Sequence, residues 1–341
     1  MDQIKQDLCR LCNAAGCAGL THVTSAAVAL LTPMTDSVEV DAMGNVIAYI
    51  NADKPDAPTV MLEAHMDEIG FLVTHIDDQG FIFVAPAGGI DRRTLTSQEV
   101  VIYTEQRVVD GVFCSVPPHL AGKDGELLET EKRAIDVGMT AKEAKAIIPL
   151  GSRVTFKPRF IELNDHLVTS KALDDRAGMA AILHCLRHLK RPLSYRIAVA
   201  FCVQEELGCR GASPAVYSIR PDRAILTDVS FALTPDADPN QCGKLGKGVM
   251  IGISPILDKS MTDDLFSLAE KTSIPFQYEV MGGSTGTDAD RISNSLTGIP
   301  SALLSIPQRY MHTPIEMVDV RDVAAVGNLM AAYIMNGGAE S

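Results

Sequence analysis

The chain has 341 residues, of which 46% are hydrophobic and 21% charged, which excludes disorder and collagen-like repeats and suggests two domains or one large domain with an insertion. A formal charge of −13, from 30 basic and 43 acidic residues, disfavours nucleic acid as a partner, because phosphate-backbone binding relies on clustered Lys and Arg. Trp is absent and aromatics are 5%, no apolar run reaches the roughly 18–20 residues of a membrane span, and residues 1–7 lack the basic-then-apolar order of a signal peptide, so a cytoplasmic protein with no membrane partner is expected.

In chain order, residues 2–15 and 23–31 read as helices, the second ending near Pro33. Two strand-like runs, 37–41 and 45–50, flank the turn signal Met43-Gly44. The run 59–65 is short and mostly apolar and ends in polar residues, which suits a buried strand with a functional C-terminal end. From about 68 to 164 short β-rich runs (71–75, 81–85, 99–103, 107–112, 153–156) alternate with Gly, Pro and Asp turns, the spacing of a small all-β unit. After about 166 the pattern becomes βα: a helix over 176–189, a strand over 195–203, a Gly-rich turn with a short helix, then a strand over 224–227. A helix over 262–271, strands over 276–280 and 302–306 and a last helix over 320–335 follow. The expected fold class is α/β, a mostly parallel mixed sheet covered by helices. The expected division is a first catalytic segment over residues 1–67, an inserted β-barrel-like segment over residues 68–164 and a second catalytic segment over residues 165–341.

The eight cysteines do not imply disulfides, because a chain this long can bury a core without them. Cys9 and Cys12 form a lone C-x-x-C, with no second pair to complete a structural zinc site, and are read as two small apolar residues one turn apart.

Five polar clusters stand where predicted strands end or loops begin: His65-Met66-Asp67, Asp174-Asp175, Gln204-Glu205-Glu206, Asp228, and His312. Ligands of open α/β sheets bind outside the carboxyl ends of strands, so all five can converge on one rim. Two carboxylates about 4 Å apart repel by roughly 4 kcal/mol at an effective dielectric of about 20. Protonation relieves one or two such pairs; two divalent cations relieve the set and use both imidazoles. Mixed His and carboxylate donors suit zinc, cobalt or manganese better than calcium. One carboxylate bridging two ions, with one His and one acid on each side, accounts for the inventory and leaves one Glu over as a base.

Four segments, residues 65–71, 172–178, 204–208 and 309–317, resemble the di-metal aminopeptidases of the tetrahedral type, metallopeptidase family forty-two, which includes glutamyl and deblocking aminopeptidases. Val116-Pro117-Pro118-His119-Leu120 and Ala134-Ile135-Asp136-Val137-Gly138 are similar to that family's dimerisation domain, and Gly286-Thr287-Asp288-Ala289 to a loop lining its pocket. The resemblance implies that His65, Asp174 and Asp228 bind one ion and Asp174, Glu206 and His312 the other. It makes Glu205 the general base and acid, and Asp67 the carboxylate that orients His65. It implies a cis peptide between Asp174 and Asp175, two divalent ions per subunit (zinc or cobalt foremost, manganese third), short peptides as substrates, and a homo-oligomer, commonly a tetrahedral dodecamer. The family segment Gly-x-Lys is here Cys114-Ser115-Val116, and Thr313 stands where Ser is common; both departures bear on specificity and subunit contacts rather than on the ligands.

Other candidates are weaker. His184 and His188 lie at i, i+4, but Cys185 occupies the place of the Glu in H-E-x-x-H, so they read as a helix surface. The run Gly282-Gly283-Ser284-Thr285-Gly286 lacks the Lys of a phosphate loop, and no Gly-x-Ser-x-Gly elbow occurs. Two competing functions remain at this level. One is an endoglucanase-type polysaccharide hydrolase, a label some family members carry; the missing Trp and the two imidazoles weigh against it. The other is a catalytically silent binding protein of the same fold, against which the full set of acids and imidazoles weighs.

Overall fold

A computed structural model describes residues 1–51, 56–117, 119, 129–190, 192–193 and 195–336. Of the 116–120 motif, Pro118 and Leu120 lie outside the described residues. The chain opens with α1 (Asp2–Asn13), α2 (His22–Leu31), β1 (Ser37–Val40), β2 (Val46–Ile50) and β3 (Thr59–His65). Then come β4 (Gly70–Ile76), β5 (Ile82–Ala87), β6 (Glu99–Tyr103), β7 (Val108–Phe113), β8 (Ala134–Asp136), α3 (Ala141–Ile147) and β9 (Arg153–Phe156). It continues through β10 (Ile161–Glu162), β11 (Leu167–Ser170), α4 (Leu173–His188), β12 (Arg196–Cys202), α5 (Ala212–Ile219), β13 (Arg223–Phe231) and β14 (Val249–Ile253). It ends with α6 (Lys259–Thr272), β15 (Phe276–Val280), α7 (Ala289–Ile292), β16 (Ser301–Arg309), β17 (Glu316–Asp319) and α8 (Val320–Met335).

The large sheet runs β1-β2-β12-β3-β13-β16-β17-β11-β10, with β14 and β15 branching from β16. Its centre is parallel: β3 lies between β12 and β13, and β13 pairs with β16 in the same direction. Strand β11 runs antiparallel to β17, which runs antiparallel to β16, so β11 also points the same way as the central strands. The C-terminal ends of β3, β11, β12 and β16 therefore open on one edge. A central strand covered on both faces needs apolar residues throughout, and every residue of β3 is buried. Val60, Leu62 and Ala64 face the core under α1, α4, α6 and α8, while Met61 faces a second core under α5 and α7.

Strands β4-β5-β8-β7-β6-β9 close into a barrel, as the alternation over 68–164 predicts. Its interior holds Phe71 against Phe113 and Phe156, with ring centroids 5.2 and 5.5 Å apart in edge-on arrangements. Helix α3 was not among the predicted elements, although Thr140 and Glu143 form a full capping box, a signal present in the sequence. Strands β8, β10, β11, β14 and β17 were also not predicted; all are short.

The chain leaves the sheet after β3 and returns through the edge strand β10 and then β11, and a buried ion pair joins the residues just beyond β3 and β11. Lys171 Nζ donates to Glu68 Oε2 at 2.6 Å, with both side chains 2% exposed. Glu68 Oε1 accepts from Gly16 N at 2.7 Å, and Arg176 Nη2 stands 3.9 Å away. Removing one partner of a buried pair strands the other charge. Lys171→Met is therefore expected to lower unfolding stability by about 3–5 kcal/mol, read from the denaturant midpoint; a change under about 1 kcal/mol would show that the pair does not fasten the junction.

Candidate metal centre

Each polar cluster named above stands at the open edge of the sheet. His65 ends β3; Glu205 and Glu206 follow β12; Asp228 lies within β13; His312 follows β16; and Asp174 begins α4 just after β11. The turns that carry these residues have unusual backbone. Ala172, Gln204, Tyr310 and His312 have φ of 57°, 60°, 61° and 59°, a left-handed conformation that costs a non-glycine residue of order 1 kcal/mol or more and clusters at functional sites. The Asp174–Asp175 peptide is cis, as the resemblance implies. Both residues depart from helical φ/ψ, which turns Asp174 off the axis of α4. Asp175 stays with the helix: its Oδ1 accepts from Gly178 N at 2.9 Å, and a Cβ on Gly178 would stand 2.3 Å from Asp175 Oδ2.

Asp174 is the centre of the arrangement. Its Oδ1 lies 2.9 Å from His65 Nε2, and its Oδ2 lies 3.4 Å from His312 Nε2. His65 Nε2 is also 3.8 Å from Asp228 Oδ1, and His312 Nε2 is 3.3 Å from Glu206 Oε2. Two imidazole–carboxylate sides thus share one carboxylate, each oxygen turned to a different side. Glu205 lines the same cavity of about 270 Å3 as His65, Asp174, Asp228 and His312. Asp67 Oδ1 stands 3.6 Å from His65 Nδ1 and accepts from Glu205 N at 3.0 Å, so one buried carboxylate touches both the imidazole and the backbone of the neighbouring acid.

Burial raises the pKa values of Glu206 and Asp228 well above the ordinary carboxylate range, with the Asp174 charge adding to the effect on Glu206. Burial also raises Glu205, opposed by His65 and reinforced by Asp174. Asp174 is the exception: burial alone would raise it, but hydrogen bonds from His312 and His65 hold it below its usual value. Burial lowers His65 and His312, yet their carboxylate partners hold both above normal, His65 far above. Donor atoms of His65, Asp174 and Glu206 lie within 4.8 Å of one another. That set takes the imidazole of one side and the carboxylate of the other, with Asp174 between them.

Three groups around the site were not assigned roles from sequence. Glu316 is buried and accepts from Asp174 N at 3.1 Å and His312 N at 3.0 Å, tying the loops of two proposed ligands together. Arg176 is fully buried, and its Nη1 donates to Leu11 O at 2.7 Å, tying α1 to α4. Both residues fall inside the motifs quoted above, but Asp174 lies 142 residues from Glu316 and Leu11 lies 165 residues from Arg176. Next to Glu205 lies a third group, Glu63, Cys202, Cys209 and Asp288. Burial raises Glu63 well above its usual value and Asp288 to about 7.

The weaker candidates stay apart. The backbone N–H groups of Thr285 and Gly286 are spent on Asp290, at 2.7 and 3.2 Å, so this Gly-rich loop closes on an internal carboxylate while Thr285, Gly286 and Thr287 line the cavity. His184 pairs with Asn328 at 3.0 Å, and His188 Nδ1 lies 2.8 Å from His184 O. Cys12 is a core residue, its thiol pushed up to about 12 by burial. All eight cysteines are free thiols. Among the described residues, no helix is long and apolar enough to cross a membrane.

Comparison with known proteins bears on the chemistry. The M42 glutamyl aminopeptidase family model matches residues 44–329. A lysyl aminopeptidase of Pyrococcus furiosus is 36% identical over 315 residues, 90% of each chain. An aminopeptidase structure from the archaeon Desulfurococcus kamchatkensis superposes with a TM-score of 0.91 at 34% identity, covering 100% of this chain and 95% of that one. The TET1 peptidase of Pyrococcus horikoshii, described as assembling into a tetrahedron or a large octahedral shell, superposes with a TM-score of 0.85 at 30% identity, covering 97% and 99%.

Proposed function

The chain belongs to the M42 family of metal-dependent aminopeptidases, and from that membership we propose that it removes N-terminal residues from short peptides at the edge of the large sheet, with Glu205 as general base and acid. The observation that carries the reading is the double-sided Asp174: each of its oxygens faces a different imidazole, and Glu205 lines the same cavity. His65, Asp174 and Asp228 would hold one divalent ion, and Asp174, Glu206 and His312 would hold the second. The donor set favours zinc or cobalt, then manganese. When bound, the two ions supply Lewis acidity toward the scissile carbonyl and toward water.

The chain's own residues do the rest. Glu205 takes a proton from the attacking water and returns it to the leaving amine. Its raised pKa, set first by burial, moves it toward the neutral range in which a base can also give the proton back. Asp67, with Oδ1 3.6 Å from His65 Nδ1, favours one orientation of that ring by charge and sets the position of Glu205 by accepting its backbone N–H. Glu316 holds the Asp174 and His312 loops at a set separation.

Residues 1–67 and 165–341 form the catalytic unit, and the barrel segment, residues 68–164, serves assembly into a homo-oligomer, as a tetrahedral dodecamer. Val108, Val112 and Val116 are exposed on the barrel segment, 56%, 44% and 64%, as an apolar contact surface would be. Eight free thiols suit a reducing compartment, the cytoplasm.

Chelation separates this reading from glucan hydrolysis. Exhaustive removal of divalent ions is expected to abolish hydrolysis of aminoacyl amides, and zinc, cobalt or manganese to restore it, with no activity on soluble glucan in either state. Chelator-resistant amide hydrolysis, or a glucanase rate above the amide rate, would overturn it.

A further inference from the structure

Next to Glu205, the structure holds a group of acids and thiols that the peptidase chemistry leaves unused. After β12 the chain turns tightly: Gly208 N and Cys209 N both donate to Glu205 O, at 2.8 and 2.9 Å, and Cys209 has a φ of 58°. That turn brings Cys209 Sγ back onto the Glu205 side chain, where it donates to Oε1 at 3.4 Å. Asp288 approaches from the start of α7. An Asp in that position usually spends its carboxylate on the first N–H groups of the helix, but here it makes no such bond. Asp288 is only 3% exposed, and among the described residues no backbone or basic donor reaches either of its oxygens; the groups it meets are the Glu63 carboxyl and the Cys209 thiol. Glu63, buried beside it, meets the same carboxylate.

A buried carboxylate whose neighbours are another acid and a thiol is costly to ionise, and the group joins carboxylate oxygens to two thiols, donors that suit soft cations once deprotonated. One donor atom each from Glu205, Cys209 and Asp288 lie within 4.8 Å of one another, and so do donors from Glu63, Cys202 and Asp288. Ligands of one zinc-like ion, about 2.3 Å from sulfur and 2.0–2.2 Å from oxygen, stand up to about 4.5 Å apart, so side-chain shifts of a few tenths of an ångström close either group on an ion.

We propose that Cys209, Asp288 and Glu205 form a third cation site, selective for thiophilic divalent ions such as cadmium or excess zinc, whose occupation inhibits the enzyme by taking the Glu205 carboxylate out of the reaction. Binding releases the Cys209 thiol proton to solvent and forms a thiolate–metal bond, with Glu63 and Cys202 closing the far side of the site. Selectivity follows from the thiolate: manganese and magnesium prefer oxygen donors and do not inhibit. The inhibitory consequence rests on Glu205 being the general base; the existence of the site does not.

The test titrates cadmium into the zinc-loaded full-length enzyme, following bound metal by elemental analysis, the near-ultraviolet thiolate-to-cadmium charge-transfer band, and aminoacyl amide hydrolysis. Expected is a third equivalent per chain, a charge-transfer band that saturates with it, and at least a tenfold loss of rate, with no comparable loss from manganese. Cys209→Ser removes the band, and both Cys209→Ser and Asp288→Asn raise the cadmium concentration for half-inhibition at least tenfold; melting curves of both variants check that they are folded. Absence of the third equivalent, or a band that persists in Cys209→Ser, overturns the site. A third equivalent that leaves the rate intact overturns its inhibitory role. Failure of the Glu205 assignment shows separately, as cadmium-free turnover that survives Glu205→Gln.

Discussion

Glu205→Gln is expected to lower kcat for aminoacyl amides by about 10²–10⁴-fold while bound metal stays at two ions per chain and KM changes only a few-fold. Gln has the shape of Glu but cannot take a proton from water. The backbone bond from residue 205 to Asp67 does not involve the altered side chain, and none of His65, Asp174, Glu206, Asp228 or His312 is changed. A drop in kcat and kcat/KM together is the signature of an interaction made in the transition state alone. Metal analysis beside the kinetics distinguishes a lost base from a lost ion. Turnover within tenfold of the parent, with both ions present, would remove Glu205 from its role.

Asp174→Asn is expected to act by the opposite route, through the ions. The Asp174 side chain presents one oxygen to His65 and the other to His312. An amide offers one acceptor and one donor, so one imidazole side loses its shared ligand and gains an N–H group pointed at it. Loss of more than about 100-fold in affinity for at least one ion is expected, exceeding the 10–100-fold typical of residues that only support a ligand. Activity falls with ion content and recovers partially at high metal concentration. A variant that bound both ions as tightly as the parent would show that Asp174 does not bridge.

How much of this was legible beforehand depends on range. His65, Glu205, Glu206 and Asp228 could be placed because each sits in or just beyond a strongly apolar run, and a buried parallel strand announces itself by composition. The barrel was legible from its period-two alternation. The groups that position the site were not. Glu68 and Lys171 lie 103 residues apart, and nothing local marks either as a partner of the other. Glu316 stands in a recognisable motif and accepts a backbone N–H from His312 four residues away, yet its other bond reaches Asp174, 142 residues away, which no spacing rule encodes. Asp288 looked like part of a pocket-lining loop; its missing cap bond and its place among Glu63 and Cys209 set it apart. Among the elements, β14 escaped because five residues between Gly248 and Ser254 are too few to distinguish from a loop, whereas α3 was missed despite a readable cap.

The placement of β3 between β12 and β13 carries a consequence for synthesis. Translation delivers β3 by residue 65, but the first residue of either neighbour is 196, about 130 residues later. At about 5–20 residues per second, a ribosome needs roughly 7–26 s to cover that distance. Through that interval a seven-residue strand with no exposed position in the finished sheet has neither flanking strand to pair with, while the barrel residues emerge from the exit tunnel ahead of its partners. Such an edge is a template for pairing with other nascent chains on the same message, so the vulnerable moment in the life of this protein falls during elongation, before half of its catalytic residues exist.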